Sequence, residues 1–376
     1  MKPYEKVTSG RIGDRRKWLF LFLVSTAACV MMVTCKSAPA FEFAQGVIVD
    51  PGQGIVYIMS PNGRIDAVNL SSGDAIATST RGAKPLLLYG DGVLAQAEAE
   101  DQSGMLSLVG LSSTDLKPTF QIDVPLPSRV HASIVESLGS SFYVSARYDN
   151  DEIVVQWRSL QRRVSGVPTS EPAQIATGFA RIDPTAGHLV ASGGGEAPHS
   201  PSPKFNFPAN VQAVMDSQSL ISQLCRVDDL IAAIGYSGDN GQKHTTLRRW
   251  NKDTGQSLPN IELFDSKLTF QNFSADCRYL LFSRANDGWL WSIFATTTGN
   301  LVAELNNPSP TSQFFIWESF LVYESPAVIT LDGEHKAIVQ PARLQAIDLG
   351  TGRQLWARPI RETKYLGPYP GKSENP

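Results

Sequence analysis

A short hairpin signature recurs along this chain of 376 residues and constrains its fold more than any other feature. At 344–356 it reads Leu-Gln-Ala-Ile-Asp-Leu-Gly-Thr-Gly-Arg-Gln-Leu-Trp. An apolar strand ends at Asp348, a Gly-Thr-Gly turn reverses the chain, and a second strand carries Trp356. Related versions occur at 64–74, 180–190, 247–258 and 291–302. Recurrence every few tens of residues is typical of repeat architectures built from stacked units.

The segments between these hairpins complete the repeat. Four short strands separated by Gly, Pro, Asn and Ser turns occupy about 35 residues, which is the size of one blade of a β-propeller. The sequence therefore predicts an all-β fold, a single propeller of six to seven four-stranded antiparallel blades over 41–360. The six blades are predicted at 46–80, 85–124, 130–192, 213–263, 268–305 and 314–360.

Two irregular stretches interrupt the pattern. The third blade has strands predicted at 130–136, 141–147 and 152–159, followed by a loop at 161–178, and it returns with strands at 179–183 and 188–192. Gly193-Gly194-Gly195 and four prolines mark a second loop at 193–210. A seventh blade would have to lie between 161 and 210. The three prolines in 361–376 predict a tail.

The N-terminus carries an export signature. Arg15, Arg16 and Lys17 precede an apolar run at 18–33, and positive charge in that position directs the following chain across a membrane. Small residues at 37–40 would allow cleavage after Ala40. Three alternatives are open: a cleaved signal peptide, a retained anchor helix over 18–34, or a lipid anchor at Cys29 or Cys35. We expect 1–40 to engage the membrane and the propeller to lie in the periplasm or outside the cell.

Some of these repeats resemble known propeller families. The segments 54–73 and 344–356 resemble the repeat of quinoprotein-like (PQQ-type) β-propellers, and 273–291 resembles a WD40 or TolB-type blade. Quinone-dependent dehydrogenases of that superfamily use a vicinal cysteine pair, a stacking Trp and calcium ligands. This sequence has no adjacent cysteines, so we predict no cofactor site. The recurring tryptophans are assigned to packing between blades: Trp157, Trp250, Trp291 and Trp356.

No metal site is predicted, and the catalytic residues are left unknown. The histidines show no pairing at metal-ligand spacing: His131, His188, His199, His244 and His335. Asp149-Asn150-Asp151-Glu152 offers oxygen ligands of the kind calcium uses, yet it falls between two strands, where Asp and Asn are ordinary turn formers. A second acidic group is predicted to be solvated charge at the rim: Glu98, Glu100 and Asp101.

The remaining charges and thiols are assigned to structure. The net charge of −3 and the pI near 6.0 disfavour nucleic-acid partners. Two isolated basic pairs are read as solvated surface: Arg162-Arg163 and Arg248-Arg249. Cys225 and Cys277 are predicted to occupy equivalent positions of neighbouring blades, too far apart for a disulfide, so we expect two free, half-buried thiols.

These features favour a non-enzymatic, exported propeller of the bacterial cell envelope, serving as a protein-interaction or ligand-binding scaffold. Its partner would be an envelope protein or a ligand that contacts the loops at 161–178 and 193–210. The alternative is a quinone-dependent dehydrogenase or another propeller enzyme. Such an enzyme would need carboxylates or histidines that converge on the propeller axis, and sequence spacing does not reveal that convergence.

Overall fold

A computed structural model provides the architecture. It describes residues 41–44, 46–98, 104–128, 130–134, 140–161, 175–197, 209, 211, 224–227, 229–237, 244–263, 269–274, 276–286, 288–307, 314–332 and 335–361. The predicted signal or anchor segment at 1–40 and the predicted tail after Arg361 lie outside these residues. No helix in the described part of the chain has the length and hydropathy to cross a bilayer.

Six antiparallel sheets follow one another along the described chain. The first has five strands: β1 (Phe41–Ala44), β2 (Val47–Asp50), β3 (Ile55–Met59), β4 (Ile65–Asn69) and β5 (Ala75–Thr78). The second has four strands: β6 (Lys84–Tyr89), β7 (Gly92–Gln96), β8 (Met105–Ser112) and β9 (Pro118–Pro125). The third has four strands: β10 (Ser140–Asp149), β11 (Glu152–Gln161), β12 (Ile175–Asp183) and β13 (His188–Gly194). The fourth also has four: β14 (Leu224–Val227), β15 (Leu230–Ser237), β16 (His244–Asn251) and β17 (Ser257–Leu263).

The last two sheets complete the series. The fifth consists of β18 (Thr269–Phe273), β19 (Tyr279–Asn286), β20 (Gly288–Ala295) and β21 (Leu301–Asn307). The sixth pairs β22 (Phe314–Trp317), β23 (Phe320–Ser325), β26 (Arg343–Asp348) and β27 (Gln354–Pro359). A separate hairpin of β24 (Val328–Asp332) and β25 (His335–Gln340) is inserted between β23 and β26.

Apolar clusters join neighbouring sheets face to face. Separate clusters join the first sheet to the second, the second to the third, the fourth to the fifth and the fifth to the sixth. A further cluster joins the sixth sheet back to the first, through Leu344 and Trp356 on one side and Val56 and Val68 on the other. Because the last sheet packs on the first, the described sheets have the radial order of a propeller. The all-β, propeller-like prediction is confirmed.

The strands of each sheet differ in exposure. The strand β6 contacts both β2 and β10, so the first strands of these sheets lie side by side near the centre. The last strands lie outside: six of the seven residues of β13 are exposed, and Ile76 on β5 is 48% exposed. The strand β1 pairs with β2 on its inner edge and also contacts β6.

The recurring signature forms the last hairpin of its sheet. The Oδ1 of Asp348 accepts hydrogen bonds from the backbone N–H groups of Gly350 and Thr351, and the Gly352 N–H donates to the Asp348 carbonyl at 2.8 Å. Gly352 has φ of +67°, a conformation that glycine adopts without strain. Equivalent turns begin at Asn69, Asp183 and Asn251.

The second sheet has a variant of this turn that the sequence pattern missed. Leu116 takes the position of the glycine, with φ of 55°, and its N–H donates to the Ser112 carbonyl at 3.0 Å. Its side chain is 1% exposed and packs between the first and second sheets. Burial of a leucine side chain outweighs the strain of a left-handed residue, at about 2 kcal/mol against about 1 kcal/mol.

The third sheet corrects three predictions. The predicted strand at 130–136 is wrong, since described residues 130–134 are not in a strand and β10 is the inner strand of this sheet. Residues 175–178, assigned to the loop 161–178, belong to β12. Gly193 and Gly194, assigned to the loop 193–210, belong to β13 and pair with Phe179 and Gly178. Glycine has low strand propensity, so this end of β13 depends on pairing with the long neighbouring strand β12 and not on its local sequence.

Candidate functional site

The two ends of the sheets carry connections of different length. At one end the chain turns within two to five residues, as at 90–91 and 70–74. This end, which we call the short-turn face, holds the turns 51–54, 70–74, 90–91, 113–117, 150–151, 184–187, 228–229, 252–256, 274–278, 296–300, 318–319 and 349–353. All the non-glycine residues with positive φ in the described chain lie there: Leu116, Asn150, Asp151, Cys277 and Glu318.

Between the described strands, every connection longer than five residues joins strand ends at the opposite end of the sheets. We call this end the long-connection face, and its longest connections are 97–104, 126–139, 162–174, 195–223 and 326–342. All five include residues outside the described part, and the last contains the β24–β25 hairpin. Recognition residues of rigid β scaffolds concentrate on such connections. The long-connection face is therefore the candidate functional site.

An ion pair at the long-connection face ties three sheets together. The Arg361 guanidinium lies 2.5 Å from the Glu98 carboxylate, and the Arg361 N–H donates to the Met59 carbonyl at 2.9 Å. The pair lies over Gly63, where an added Cβ would come within 3.3 Å of both charged groups. Glu98 was predicted to be solvated rim charge, and its side chain is 56% exposed, which agrees with that prediction. The specific partner, Arg361, was not predicted. Glu100 and Asp101 lie outside the described residues.

A polar pair is buried beneath the same face. Lys84 and Gln96 are register partners on β6 and β7, and they are 2% and 1% exposed. Among the described residues, the Nε2 of Gln96 has no hydrogen-bond partner. Burying a polar group without a partner is unfavourable, and neither Lys84 nor Gln96 was singled out from the sequence. Their signal in the sequence, a Lys at the start of an apolar strand, is too common to be informative.

Charge is distributed unequally over the described surface. The short-turn face carries a ring of carboxylates in its turns or on the adjoining residues: Asp50, Asp74, Asp91, Asp115, Asp149, Asp151, Glu152, Asp183, Asp229, Asp253, Asp276, Glu318 and Asp348. The cations at the same positions are fewer: Lys117, Lys252, Arg278 and Arg353. Polyanions are repelled by such a surface, which argues against nucleic-acid binding at this face.

Three of the four tryptophans pack between neighbouring sheets, as predicted. Trp157 stacks on Phe142 between the second and third sheets, and Trp291 packs against Phe314 and Tyr323. The Trp356 indole lies between the sixth and first sheets. Trp250 is 4% exposed and packs in the fourth sheet with Val211. None of these buried rings offers a free face for a quinone to stack on, so they do not fit the cofactor site that the resemblance implies.

The cysteines correct another prediction. Cys225 and Cys277 form a disulfide with their Cα atoms 5.4 Å apart. The prediction of two free thiols was wrong because the two positions are not equivalent. Cys225 lies in the strand β14, whereas Cys277 lies in the turn before β19, with φ of 61°. This turn brings Cys277 of the fifth sheet over β14 of the fourth, so the bond joins two neighbouring sheets.

Other candidate residues are used in turns and between sheets. Asn150 and Asp151 form the left-handed turn between β10 and β11, as predicted, and Glu152 pairs with Arg181 at 2.6 Å. The prediction of a solvated Arg249 was wrong, since its guanidinium donates to the carbonyls of Thr297 and Pro259. Arg248 is half-buried as well, and Arg162-Arg163 lies outside the described residues.

Metal ligands do not gather in the described chain. Its His, Cys, Asp and Glu residues form no group of three or more that could hold a metal ion. His131 and His188 are exposed, and they lie on the 130–134 segment and on β13. His244 and His335 begin β16 and β25, and His199 lies outside the described residues. The assignment of catalytic residues stays open.

Comparison with solved structures gives weak likenesses over most of the chain. A europium-containing methanol dehydrogenase has a TM-score of 0.26 and 9% identity, over 86% of this chain and 73% of that one. The quinohemoprotein alcohol dehydrogenase of Comamonas testosteroni has a TM-score of 0.26 and 10% identity, over 88% of this chain and 63% of that one. A eukaryotic initiation factor has a TM-score of 0.35 and 10% identity, over 88% and 90%.

No protein-family profile and no curated protein matches the chain. Four of the matched structures are dehydrogenases. At these TM-scores the likenesses carry no argument. The fold assignment depends on the sheets and the clusters between them.

Proposed function

We propose that this chain is an exported, non-enzymatic β-propeller of the bacterial cell envelope that presents its long-connection face to a partner protein. The observation that carries the proposal is the asymmetry of the connections. One face is built of tight turns held by Asx hydrogen bonds, while all connections longer than five residues reach the other. A rigid disc with protected sheet edges positions such connections for recognition.

Two further observations support the location. Arg15, Arg16 and Lys17 precede the apolar run at 18–33, as in exported proteins. The Cys225–Cys277 disulfide is of the kind that persists in oxidising compartments such as the periplasm and the cell exterior. Alkaline phosphatase fused after Ala40 would be active if the chain is exported, and an inactive fusion would contradict this location.

Partner capture from envelope extract tests the role of the face. Val328 and Gln340 are exposed register partners at the base of the inserted hairpin, and we expect Val328→Arg with Gln340→Arg to abolish capture. The matched control is Gln53→Arg with Ser72→Arg, which places the same charge on exposed short turns and should leave capture unchanged. Loss of capture in the control alone would contradict the proposal.

The quinone-dependent enzyme stays an alternative prediction. If the chain is a scaffold, adding pyrroloquinoline quinone and Ca²⁺ to the purified chain should give an absorbance spectrum equal to the sum of the separate protein and quinone spectra. A stoichiometric spectral shift together with alcohol oxidation would favour the enzyme instead.

A further inference from the structure

The path of the first strand fixes the face from which the N-terminal segment leaves the propeller. In the register of β1 with β2, Phe41 pairs with Val49 and Ala44 pairs with Val47. Val49 is followed by Asp50 and the short turn 51–54, so Phe41 lies at the level of the short-turn face. The strand β1 then runs toward the long-connection face, where the chain reverses into β2.

The position of β1 across the disc is equally defined. It pairs with the inner edge of β2, on the side opposite β3, and it contacts β6 of the second sheet. The chain therefore enters the propeller through the short-turn face, close to the centre and not at the rim. The other end of the propeller leaves by the opposite face, since Arg361 contacts Glu98 and Met59 at the long-connection face.

From this path we infer that the short-turn face is the membrane-proximal surface of the protein and that the long-connection face points away from the bilayer. The inference rests on the proposed envelope location and on retention of the apolar segment at 18–33 as an anchor. It adds an orientation that the proposed function leaves undefined. A partner that contacts the long-connection face would then approach from the side away from the membrane.

The tether is too short to pass around the rim of the disc to the opposite face. Seven residues, 34–40, separate the end of the apolar run from Phe41, and a fully extended chain of that length reaches at most about 25 Å. To bring the long-connection face to the membrane, the chain would first have to pass under four strand spacings from β1 to β5, about 19 Å. It would then have to climb the length of a five-residue strand such as β3, about 17 Å. The sum, about 36 Å, exceeds the reach of the tether.

The charges of the short-turn face are compatible with a tethered arrangement. Its ring of carboxylates would be repelled by anionic lipid headgroups, so adhesion does not hold this face to the bilayer. The tether of at most about 25 Å is longer than the Debye length of about 8 Å at physiological ionic strength. The disc can therefore remain beyond most of the repulsion while the chain path sets its orientation.

Energy transfer to the bilayer surface tests the inference. The full chain, with Cys29→Ser and Cys35→Ser, is reconstituted in phosphatidylcholine vesicles that contain an acceptor-labelled headgroup lipid. A donor dye is attached at Gln53→Cys on the short-turn face or at Asn62→Cys on the long-connection face. Both positions are exposed and both belong to the first sheet, so the pair differs chiefly in height.

We expect clearly higher transfer efficiency from Gln53→Cys than from Asn62→Cys, by an amount corresponding to about 17 Å of height. Equal efficiencies, or higher efficiency from Asn62→Cys, would overturn the inference. Recovery of the chain cleaved after Ala40 and released from the native membrane would also overturn the inference. These outcomes are distinct from failure of the proposed function, because partner capture by the long-connection face does not depend on the dye positions.

Discussion

The indole Nε1 of Trp356 donates a 2.8 Å hydrogen bond to the carbonyl oxygen of Leu70, 286 residues earlier in the chain. This bond joins the last strand of the sixth sheet to the last turn of the first. The Arg358 guanidinium donates a hydrogen bond to the Gly73 carbonyl in the same turn. Together with the apolar cluster around Leu344, these contacts attach the end of the described propeller to its beginning.

Replacing Trp356 by Phe should lower the free energy of unfolding by about 1–3 kcal/mol, because the buried Leu70 carbonyl loses its donor while much of the apolar contact remains. Denaturant unfolding measures the change. The control is Leu355→Ala on the neighbouring, 40% exposed position of β27, which should change stability by less than about 0.5 kcal/mol. Equal effects of the two substitutions would show that the indole does not join the two sheets.

Two glycines at equivalent turn positions separate backbone strain from steric contact. Gly352 has φ of +67° with open space around an added Cβ, whereas Gly73 has φ of +73° and the Trp356 ring 2.4 Å from that position. Gly352→Ala should cost about 1 kcal/mol through strain alone, and the β-branched Gly352→Val about 1–3 kcal/mol. Gly73→Ala should cost more than Gly352→Ala. Similar melting temperatures for the two alanine variants would contradict the position of Trp356.

The disulfide should contribute measurably to stability. It closes a loop over a sequence separation of 52 residues, for which the chain-entropy relation gives about 4 kcal/mol. Cys225→Ala should therefore melt at a lower temperature than the oxidised chain and should not respond to reductant. Peptide mapping after alkylation without reductant provides the direct check, and free Cys225 and Cys277 thiols in protein secreted to an oxidising compartment would contradict the bond.

Tyr57 should make stability fall at alkaline pH. Its hydroxyl donates to the Ser113 carbonyl at 3.0 Å, joining the first and second sheets. Burial, and to a lesser extent the nearby Asp50, raise the pKa of Tyr57 from 10.0 to about 12. Because the folded-state pKa is raised, the contribution is complete below pH 10 and is lost as the pH rises toward 12. Tyr57→Phe should flatten this part of the curve of unfolding free energy against pH; an unchanged curve would contradict the assignment.

Local chemistry accounts for what the sequence could predict. Asp348 and Gly352 specify a turn through their own side chain and backbone, and so do Asn69 and Gly73, so the hairpins were visible without a structure. Leu116 hid the equivalent turn of the second sheet, because its burial between sheets compensates for a conformation that usually requires glycine.

The missed features depend on residues far apart in the chain. Glu98 and Arg361 are separated by 263 positions, and only the radial order of the sheets brings them together. The Cys225–Cys277 bond depends on one cysteine being in a strand and the other in a turn, a difference that similar flanking sequences conceal. Each strand carries the chain from one face of the disc to the other, so the number of strands decides the face on which a connection lies. The wrongly predicted strand at 130–136 and the wrongly placed end of the strand at 193–194 would therefore have put the loops in the wrong positions.

Site-specific photo-crosslinking in the cells that make this protein tests the central claim most directly. Benzoylphenylalanine is placed at Asn62 or Val328 on the long-connection face and at Ser72 or Thr185 on the short-turn face, all of them exposed positions. The account predicts that a discrete protein adduct forms from the first pair and not from the second. Adducts confined to Ser72 and Thr185, or no adduct at any of the four positions, would contradict it.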